Sequence, residues 1–417
     1  MHILNLLPYS PCPPHFGGAL RIFHLLREML RLHDVTVVMY GTPHEGELVR
    51  KAYGGRLKGV HTVEKPLRLT GLHKRLAQIH SLVQDRSATT HAFYSDAMQQ
   101  TIDRAVSATN FDLVQFETHH TGLYRIDCPG VPHIIDLQNV EYDNVRRMAR
   151  ASASPLRRAF YNREYRKLHR EETDVFGAQD AILVTSARDK SLIDADFPLI
   201  PKFVVPNGVD TSYFRPQAGP TEPHSLVFTG AMNYFPNADG MMYFLREVFP
   251  LIQKEIPDTR VYIVGGGPPK QLMAIATENV EVTGYVEDVR PHVRKAAICI
   301  VPLRMGGGTR LKVLEAMAME KPVVTTSVGC EGIQVVDRET ALIADDPELF
   351  AASVVELMRN QDLYRKLVKN GRELVRALYE WSDVGYKLGE AYDRIMDSRH
   401  PRSPACKSAT TRGATNA

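Results

Sequence analysis

What the chain lacks narrows the field first. No stretch of its 417 residues approaches the roughly 20 consecutive apolar residues of a bilayer-spanning helix. Cysteine is scarce: Cys12, Cys128, Cys299, Cys330 and Cys406 are scattered and never form a C-x-x-C pair. That spacing argues against a disulfide framework or a zinc site, and for a reducing compartment. The net charge of +3 is too small to argue for nucleic acid as a partner. There is no Walker G-K-[ST], and "GGGPP" at Gly265 is no dinucleotide fingerprint, because prolines replace the third glycine. No short-period repeat is present. The opening "MHILNLLPYSPCPP" reads as a strand running into a loop rather than a signal peptide, and residues 398–417, small and polar, read as a disordered tail.

What is present is an alternation of short apolar runs and helix-length segments, with 44% hydrophobic residues to fill a core. The runs "HILNLLP", "DVTVVMYG", "FDLVQFET", "PHIIDLQ", "AQDAILVTSA" and "FVVPNGV" read as buried parallel strands, and the spacing predicts a helix over Leu20 to Leu32. After a Pro- and Gly-rich linker, "RPQAGPTEPHS", the rhythm restarts with "SLVFTG", a helix from Asp239 to Ile256, "RVYIVGGG", "VEVTGYV", "AICIVPL" and "KPVVTT". The fold class expected is α/β: two Rossmann-like, doubly wound parallel sheets facing across a cleft, with ligands at the carboxyl ends of the strands.

One stretch, "GGGTRLKVLEAMAMEKPVVTT" from Gly306, joins a strand end to a helix start. Unpaired N–H groups and the helix dipole favour an anion there, and glycines let it approach the backbone. Glu315, about two turns on, has the reach to accept hydrogen bonds from vicinal hydroxyls, and Arg310 and Lys312 supply positive charge. The bland alternative is a tight turn followed by an ordinary i, i+3 ion pair between Lys312 and Glu315.

Four motifs carry a resemblance: "VPNGVD" (205–210), "FTGAMNYFPNADG" (228–240), "VTGYVEDVRPHV" (282–293) and "VPLRMGGGTRLKVLEAMAMEKPVVTT" (301–326). In this order and spacing the chain resembles the family 4 glycosyltransferases, whose fold is called GT-B, and among them sugar transferases associated with exopolysaccharide export. The resemblance covers roughly residues 1 to 395. It implies an acceptor domain over 1–205, a donor domain over 206–380, and a closing helix over 381–397, with Trp381, crossing back to the first domain. It makes Glu315 the second glutamate of an E-x7-E motif, holding a nucleotide ribose; Gly307 stands where the first glutamate would be. Donor-sugar contacts then fall to backbone N–H groups of Gly306, Gly307, Gly308 and Thr309. Gly230, Tyr285 and Val286 match the donor's diphosphate turn and base loop. The basic residue common beyond Gly230 is absent, which leaves diphosphate neutralisation to Arg310 or Lys312.

In the first domain, "HFGGALR" is similar to the glycine loop that closes over diphosphate and acceptor, which makes Gly17 and Gly18 donor contacts and Arg21 an acceptor contact. Glu117 occupies the place of a sugar-contacting histidine, with His119 two residues on; both are candidate catalytic residues, against a structural hydrogen bond as the alternative. Asp136, Asn139 and Glu141 form a polar cluster at a strand end suited to the acceptor. Glu320 stands where the family has glycine, at a cost of about 1 kcal/mol if that position is left-handed.

The implied reaction is retaining transfer of a glycosyl group from a nucleotide-diphosphate sugar to a hydroxyl of a glycan or lipid-linked acceptor, with no cofactor and no metal. The alternatives are a nucleotide-sugar epimerase on the same fold and a donor-binding homologue without turnover. Residues 146–170 carry nine Arg or Lys against one acid. That basic, part-apolar stretch suits peripheral contact with an anionic membrane, or is simply a solvated helix beside the cleft. The location expected is cytoplasmic, with that peripheral contact as the variant.

Overall fold

The computed structural model describes residues 1–65, 86–87, 90, 93–152 and 154–399. Cys406 and the tail from residue 400 lie outside them. The first sheet comprises β1 (His2–Leu7), β2 (Asp34–Tyr40), β3 (Gly59–Val63), β4 (Leu113–Glu117), β5 (His133–Leu137), β6 (Ala181–Val184) and β7 (Lys202–Val204). The second comprises β8 (Glu222–Thr229), β9 (Arg260–Val264), β10 (Val280–Gly284), β11 (Ala296–Val301), β12 (Val323–Thr325) and β13 (Leu342–Ile343). Their orders are β3-β2-β1-β4-β5-β6-β7 and β10-β9-β8-β11-β12-β13, with every pairing between these strands parallel. Helices cover both faces, so central strands are buried on both sides and read as continuous apolar runs rather than alternation. The fold is GT-B.

Each sheet has one switch point, where successive crossovers turn in opposite directions: between β1 and β4, and between β8 and β11. A crevice opens at the strand ends there. β3 and β13 are additions to the sequence reading; β3 is an edge strand with exposed His61, and β13 is two residues long. The first helix runs Gly17–Met29, three residues ahead of the apolar periodicity. The helix expected from Asp239 begins at Phe235, with Pro236 in its first turn, and is broken by a π turn over Phe244–Val248. Pro250 explains the break: it has no N–H for the carbonyl of Arg246, and its ring needs the wider turn.

Residues 205–221 join the sheets. Here Val209 bridges to Glu380, and Gly208 lies so close to Trp381 that a Cβ would stand 2.7 Å from its ring. The Trp381–Arg399 helix then packs on the Gly17–Met29 helix, putting Trp381, Val384, Leu388, Tyr392 and Ile395 into the first core.

Candidate active site

The second switch point is built from backbone that cannot carry side chains. A Cβ on Gly230 (φ 148°) would stand 2.7 Å from Lys312 Nζ and 2.8 Å from Asn237 Nδ2. Beyond β11, the loop with Gly306 (φ 125°) and Gly308 (φ 70°) leads to Arg310 and the Leu311–Ala318 helix. Arg310 folds back on that loop: Nη1 donates to the carbonyls of Gly307 and, at 2.8 Å, of Gly308. Its Nε and Nη2 are buried without a partner, as is Thr309 Oγ1. Burial depresses the Arg310 pKa.

Lys312 Nζ donates to Asn237 Oδ1 at 3.0 Å and lies 3.7 Å from the centroid of the Phe228 ring. It forms no ion pair with Glu315, so the ordinary i, i+3 pair is not what the spacing encodes. The Glu315 side chain is half-buried. Burial pushes its pKa up to about 7 against the pull of Lys312, and burial brings Lys312 down to about 7. A lone carboxylate and a lone ammonium, both partly desolvated, flank a loop whose donors are unspent. Such groups are costly in the free protein and suited to a ligand carrying hydroxyls and an anion. Tyr285, 75% exposed, and half-buried Val286 follow β10, with Tyr285 Cβ and the near edge of its ring beside Gly266.

The first switch point is arranged differently. Arg21 is 1% exposed and grips Asp136, itself fully buried, through Nε–Oδ2 at 2.9 Å and Nη2–Oδ1 at 2.7 Å. Its remaining donors reach Pro206 O and Asn207 Oδ1. This corrects the sequence reading. Arg21 and Asp136, expected at the acceptor, pair with each other below the surface and tie the first helix to β5 and the interdomain turn.

Glu117 is likewise fully buried. Gln115 Nε2 donates to its Oε1 at 2.8 Å, Asn5 Nδ2 lies 3.4 Å away, and Tyr392 on the returning helix donates to Gln115. Burial and then the charge of Asp136 hold the Glu117 carboxyl well above the usual carboxylate range. That direction favours the protonated acid over a general base. His119 Nδ1 lies 3.0 Å from Glu172. Burial would depress its pKa, but the Glu172 carboxylate outweighs burial and raises it. Glu117 Oε2 and His119 Nε2 are buried without partners.

Glu172 also accepts the N–H groups of Glu141 and Tyr142 at 3.2 and 2.9 Å, fixing the start of the Glu141–Ala151 helix. From there the first domain meets the glycine loop. Asn139 and Asn144 donate to Glu141 at 3.2 and 3.4 Å, and their carboxamides abut Gly308 and Gly307. Gly17 faces Leu311 across the cleft, while Gly18 makes room for the 2.7 Å hydrogen bond from Tyr9 to Gln138. Next to this seam Arg147 grips Glu331 at 2.8 and 2.9 Å and donates to Gly306 O at 3.3 Å; Arg188 reaches the same glutamate at 2.8 Å.

The structure therefore gathers Gly230, Gly307, Gly308, Thr309, Arg310, Lys312 and Glu315 on one side and Gly17, Gly18, Asn139 and Glu141 on the other. Sequence reasoning missed Asn144, Arg147, Asn237 and Glu331. Asn237 lies inside the quoted "FTGAMNYFPNADG"; the others carry no signal until the domains are apposed.

In the basic stretch, Leu156 is 84% exposed beside exposed Arg157 and Arg158. Leu168 and Lys167 are buried, and Arg147 is engaged with Glu331, so the stretch is not one free basic face. Among the described residues no helix is long and apolar enough to cross a membrane. Glu320 has φ 58°, the left-handed position that a glycine would take without strain.

Residues 223–360 match the family model for glycosyl transferases group 1. The chain is 27% identical over 169 residues to an uncharacterized 44.6 kDa protein in the cps region of Klebsiella pneumoniae, covering 38% of this chain and 44% of that one. It is 27% identical over 209 residues to the phosphatidyl-myo-inositol mannosyltransferase of Mycobacterium tuberculosis, covering 46% and 54%. The chain thus spans about half the length of these curated relatives. Among solved structures it is similar to sucrose-phosphate synthase from Thermosynechococcus elongatus, with TM-score 0.67, 17% identity and coverage of 95% and 100%. It is also similar to Anabaena HepE in complex with UDP and glucose, with TM-score 0.65, 11% identity and coverage of 94% and 100%. Residues 223–360 of the second domain thus match the group 1 glycosyl transferases, and the two-sheet architecture of the whole chain is the GT-B fold of these solved structures.

Proposed function

We propose that the protein is a retaining glycosyltransferase that moves a hexosyl group from a nucleotide-diphosphate sugar to a hydroxyl of a glycan or lipid-linked acceptor, in cell-surface or exopolysaccharide synthesis. One observation carries the reading: at the second switch point Arg310 Nε and Nη2 and Thr309 Oγ1 are buried and unpartnered beside unpaired Lys312 and Glu315. Glu315 takes the ribose hydroxyls; Arg310, Lys312 and the Gly306–Thr309 backbone take the diphosphate. The bond from the sugar's C1 to the phosphate oxygen breaks as the acceptor oxygen bonds to C1 on the same face. The acceptor's proton passes to the departing phosphate. Protein groups position the reactants and neutralise the leaving diphosphate, work that Arg310 and Lys312 do without a metal. The names of the curated relatives, a cps-region protein and a mannosyltransferase, support a surface-glycan role.

A panel of nucleotide sugars tested for thermal stabilisation, then for release of free nucleoside diphosphate on addition of acceptor, tests this reading, because a bound donor raises the melting temperature by mass action. No stabilisation by any of them removes it. Full turnover in EDTA is expected; loss of turnover there removes metal independence alone.

A second reading, donor binding without turnover, is favoured by the complete burial of Glu117 and His119. Stabilisation by a donor with no diphosphate release, with or without acceptor, would select it. For a lipid-linked acceptor, the exposed Leu156 with Arg157 and Arg158 supports contact with an anionic bilayer. Flotation with anionic liposomes no better than with neutral ones rejects that contact.

A further inference from the structure

We propose that Asn139, Glu141 and Asn144 of the first domain form the recognition element for the donor's sugar ring, doing from across the cleft what no side chain at position 307 can do. The inference rests on the glycosyltransferase reading and deepens it. A Cβ at Gly307 would overlap the Asn144 carboxamide, standing 2.5 Å from its Cγ, and a Cβ at Gly308 would overlap Asn139 Oδ1 and stand 3.3 Å from Gln138 O. Gly308 in addition has φ 70°. The two glycines therefore accommodate the first domain's amides as well as any ligand. A glutamate reaching from position 307 has no room while Asn144 is in place.

The three side chains are held as a unit. Glu141 Oε1 accepts from Asn139 at 3.2 Å and Oε2 accepts from Asn144 at 3.4 Å. The backbone beneath is fixed by fully buried Glu172, which takes the N–H groups of Glu141 and Tyr142. Next to them Gln138 Nε2 is buried without a partner.

The chemistry of the set selects its ligand. Two carboxamides and a carboxylate offer several acceptors and a few donors with a negative centre, which repels phosphate and suits vicinal sugar hydroxyls. The loop's cations are held by other groups, Arg310 by the carbonyls of Gly307 and Gly308 and Lys312 by Asn237 and the Phe228 ring. On the glycosyltransferase reading a donor lying across the loop meets positive charge at its phosphates and this acceptor-rich set at its sugar.

The test compares two ligands on the same variants: the nucleotide sugar that most stabilises the wild type, and its matching nucleoside diphosphate, both by titration calorimetry. For Asn144→Ala, Asn139→Ala and the isosteric Glu141→Gln, nucleotide-sugar affinity should fall about tenfold or more per lost hydrogen-bonding group while the diphosphate changes less than about twofold. Equal weakening of both ligands would make the set a domain contact only, and no change in either would make it a bystander; both results overturn the proposal and leave the glycosyltransferase reading standing. Wild type that binds neither ligand overturns both.

A double variant keeps the test open should single variants be unstable. Asn144→Gly with Gly307→Glu should recover nucleotide-sugar binding relative to Asn144→Gly, with a changed order of preference among sugars. An unchanged order overturns the proposal.

Discussion

The two switch points share one topology and treat charge in opposite ways. At β1/β4, Arg21, Asp136, Asn207, Glu117, Gln115, Asn5 and Tyr392 hydrogen-bond among themselves, and the key pair is 1% and 0% exposed. At β8/β11, Arg310 keeps two donors unspent, Lys312 meets an amide and a ring, and Glu315 has the charge of Lys312 near it but no ion pair with it. A crevice at strand ends is thus an opportunity, not a site. In the first domain the charged pair is closed internally and the returning helix that carries Tyr392 covers it, with Asn5 Oδ1, Glu117 Oε2 and His119 Nε2 left as buried polar atoms without partners. In the second the crevice is left electrostatically incomplete, the condition expected of a ligand pocket.

The sharpest way to break the comparison is to damage each side and ask what is lost. Arg21→Ala leaves Asp136 buried and unpaired, and should cost about 3–5 kcal/mol of folding free energy, measured by chemical denaturation. Glu315→Ala should leave the denaturation midpoint unchanged or higher, since the wild-type carboxylate has no partner to lose. It should weaken nucleoside-diphosphate binding by about 100-fold, the loss of two charge-assisted hydrogen bonds. If Glu315→Ala unfolds the protein and Arg21→Ala only weakens ligand, the assignment of the two crevices is reversed.

This contrast also marks what the sequence could tell. Strands were legible because parallel sheets buried on both faces demand apolar runs, as in "AICIVP"; β3 was not, because its edge position tolerates His61 and Thr62. The glycine loop and Glu315 were legible because strand end, glycines and helix start are contiguous. Arg21 and Asp136 looked like ligands for the same local reason: each stands at the mouth of a crevice in its own segment. Only tertiary structure shows that they are 2.7 Å apart and satisfy each other. Asn144 and Arg147 meet Gly307 and Glu331 across the cleft, where no local periodicity or motif reports the contact.

pH offers an intermediate test. On the proposed function ligand binding needs Glu315 ionised and Lys312 protonated, and burial brings the pKa of both groups to about 7 in the free protein. Affinity should rise as pH climbs toward 7, as the carboxylate forms, and fall beyond it, as the ammonium is lost. Glu315→Gln should abolish the acid limb and Lys312→Met the alkaline limb. Stability of the free protein runs the other way. The raised Glu315 pKa contributes stability that is full below 4.5 and lost as pH rises through about 7. The lowered Lys312 pKa costs stability below about 7, and that cost is relieved as pH rises toward 10.5. A pH-independent affinity would show that neither group faces the ligand.

A smaller effect is expected at the seam. Arg147 and Glu331 are 21% and 22% exposed. Glu331→Gln should therefore cost about 1 kcal/mol or less. Its signature is mechanical: small-angle scattering should show the variant more expanded than wild type at low salt and indistinguishable from it at high salt, where the pair is screened. Identical profiles at both salt concentrations would remove Arg147 and Arg188 as a latch between the domains.

The smallest change controls for the rest. Glu320 also carries a cost in the second domain, at the opposite end of the helix that presents Glu315, and nothing places a ligand there. Its φ of 58° penalises a side chain by about 1 kcal/mol, and glycine removes that penalty at the expense of backbone entropy. The Glu320–Arg372 ion pair, 41% and 34% exposed, returns only a few tenths of a kcal/mol. Glu320→Gly should therefore be neutral to slightly stabilising in denaturation and leave nucleoside-diphosphate affinity unchanged. Should it weaken binding as Glu315→Ala does, the unspent charges at β8/β11 would be one part of a strained helix rather than a site, and the distinction between the two crevices would lose its physical basis.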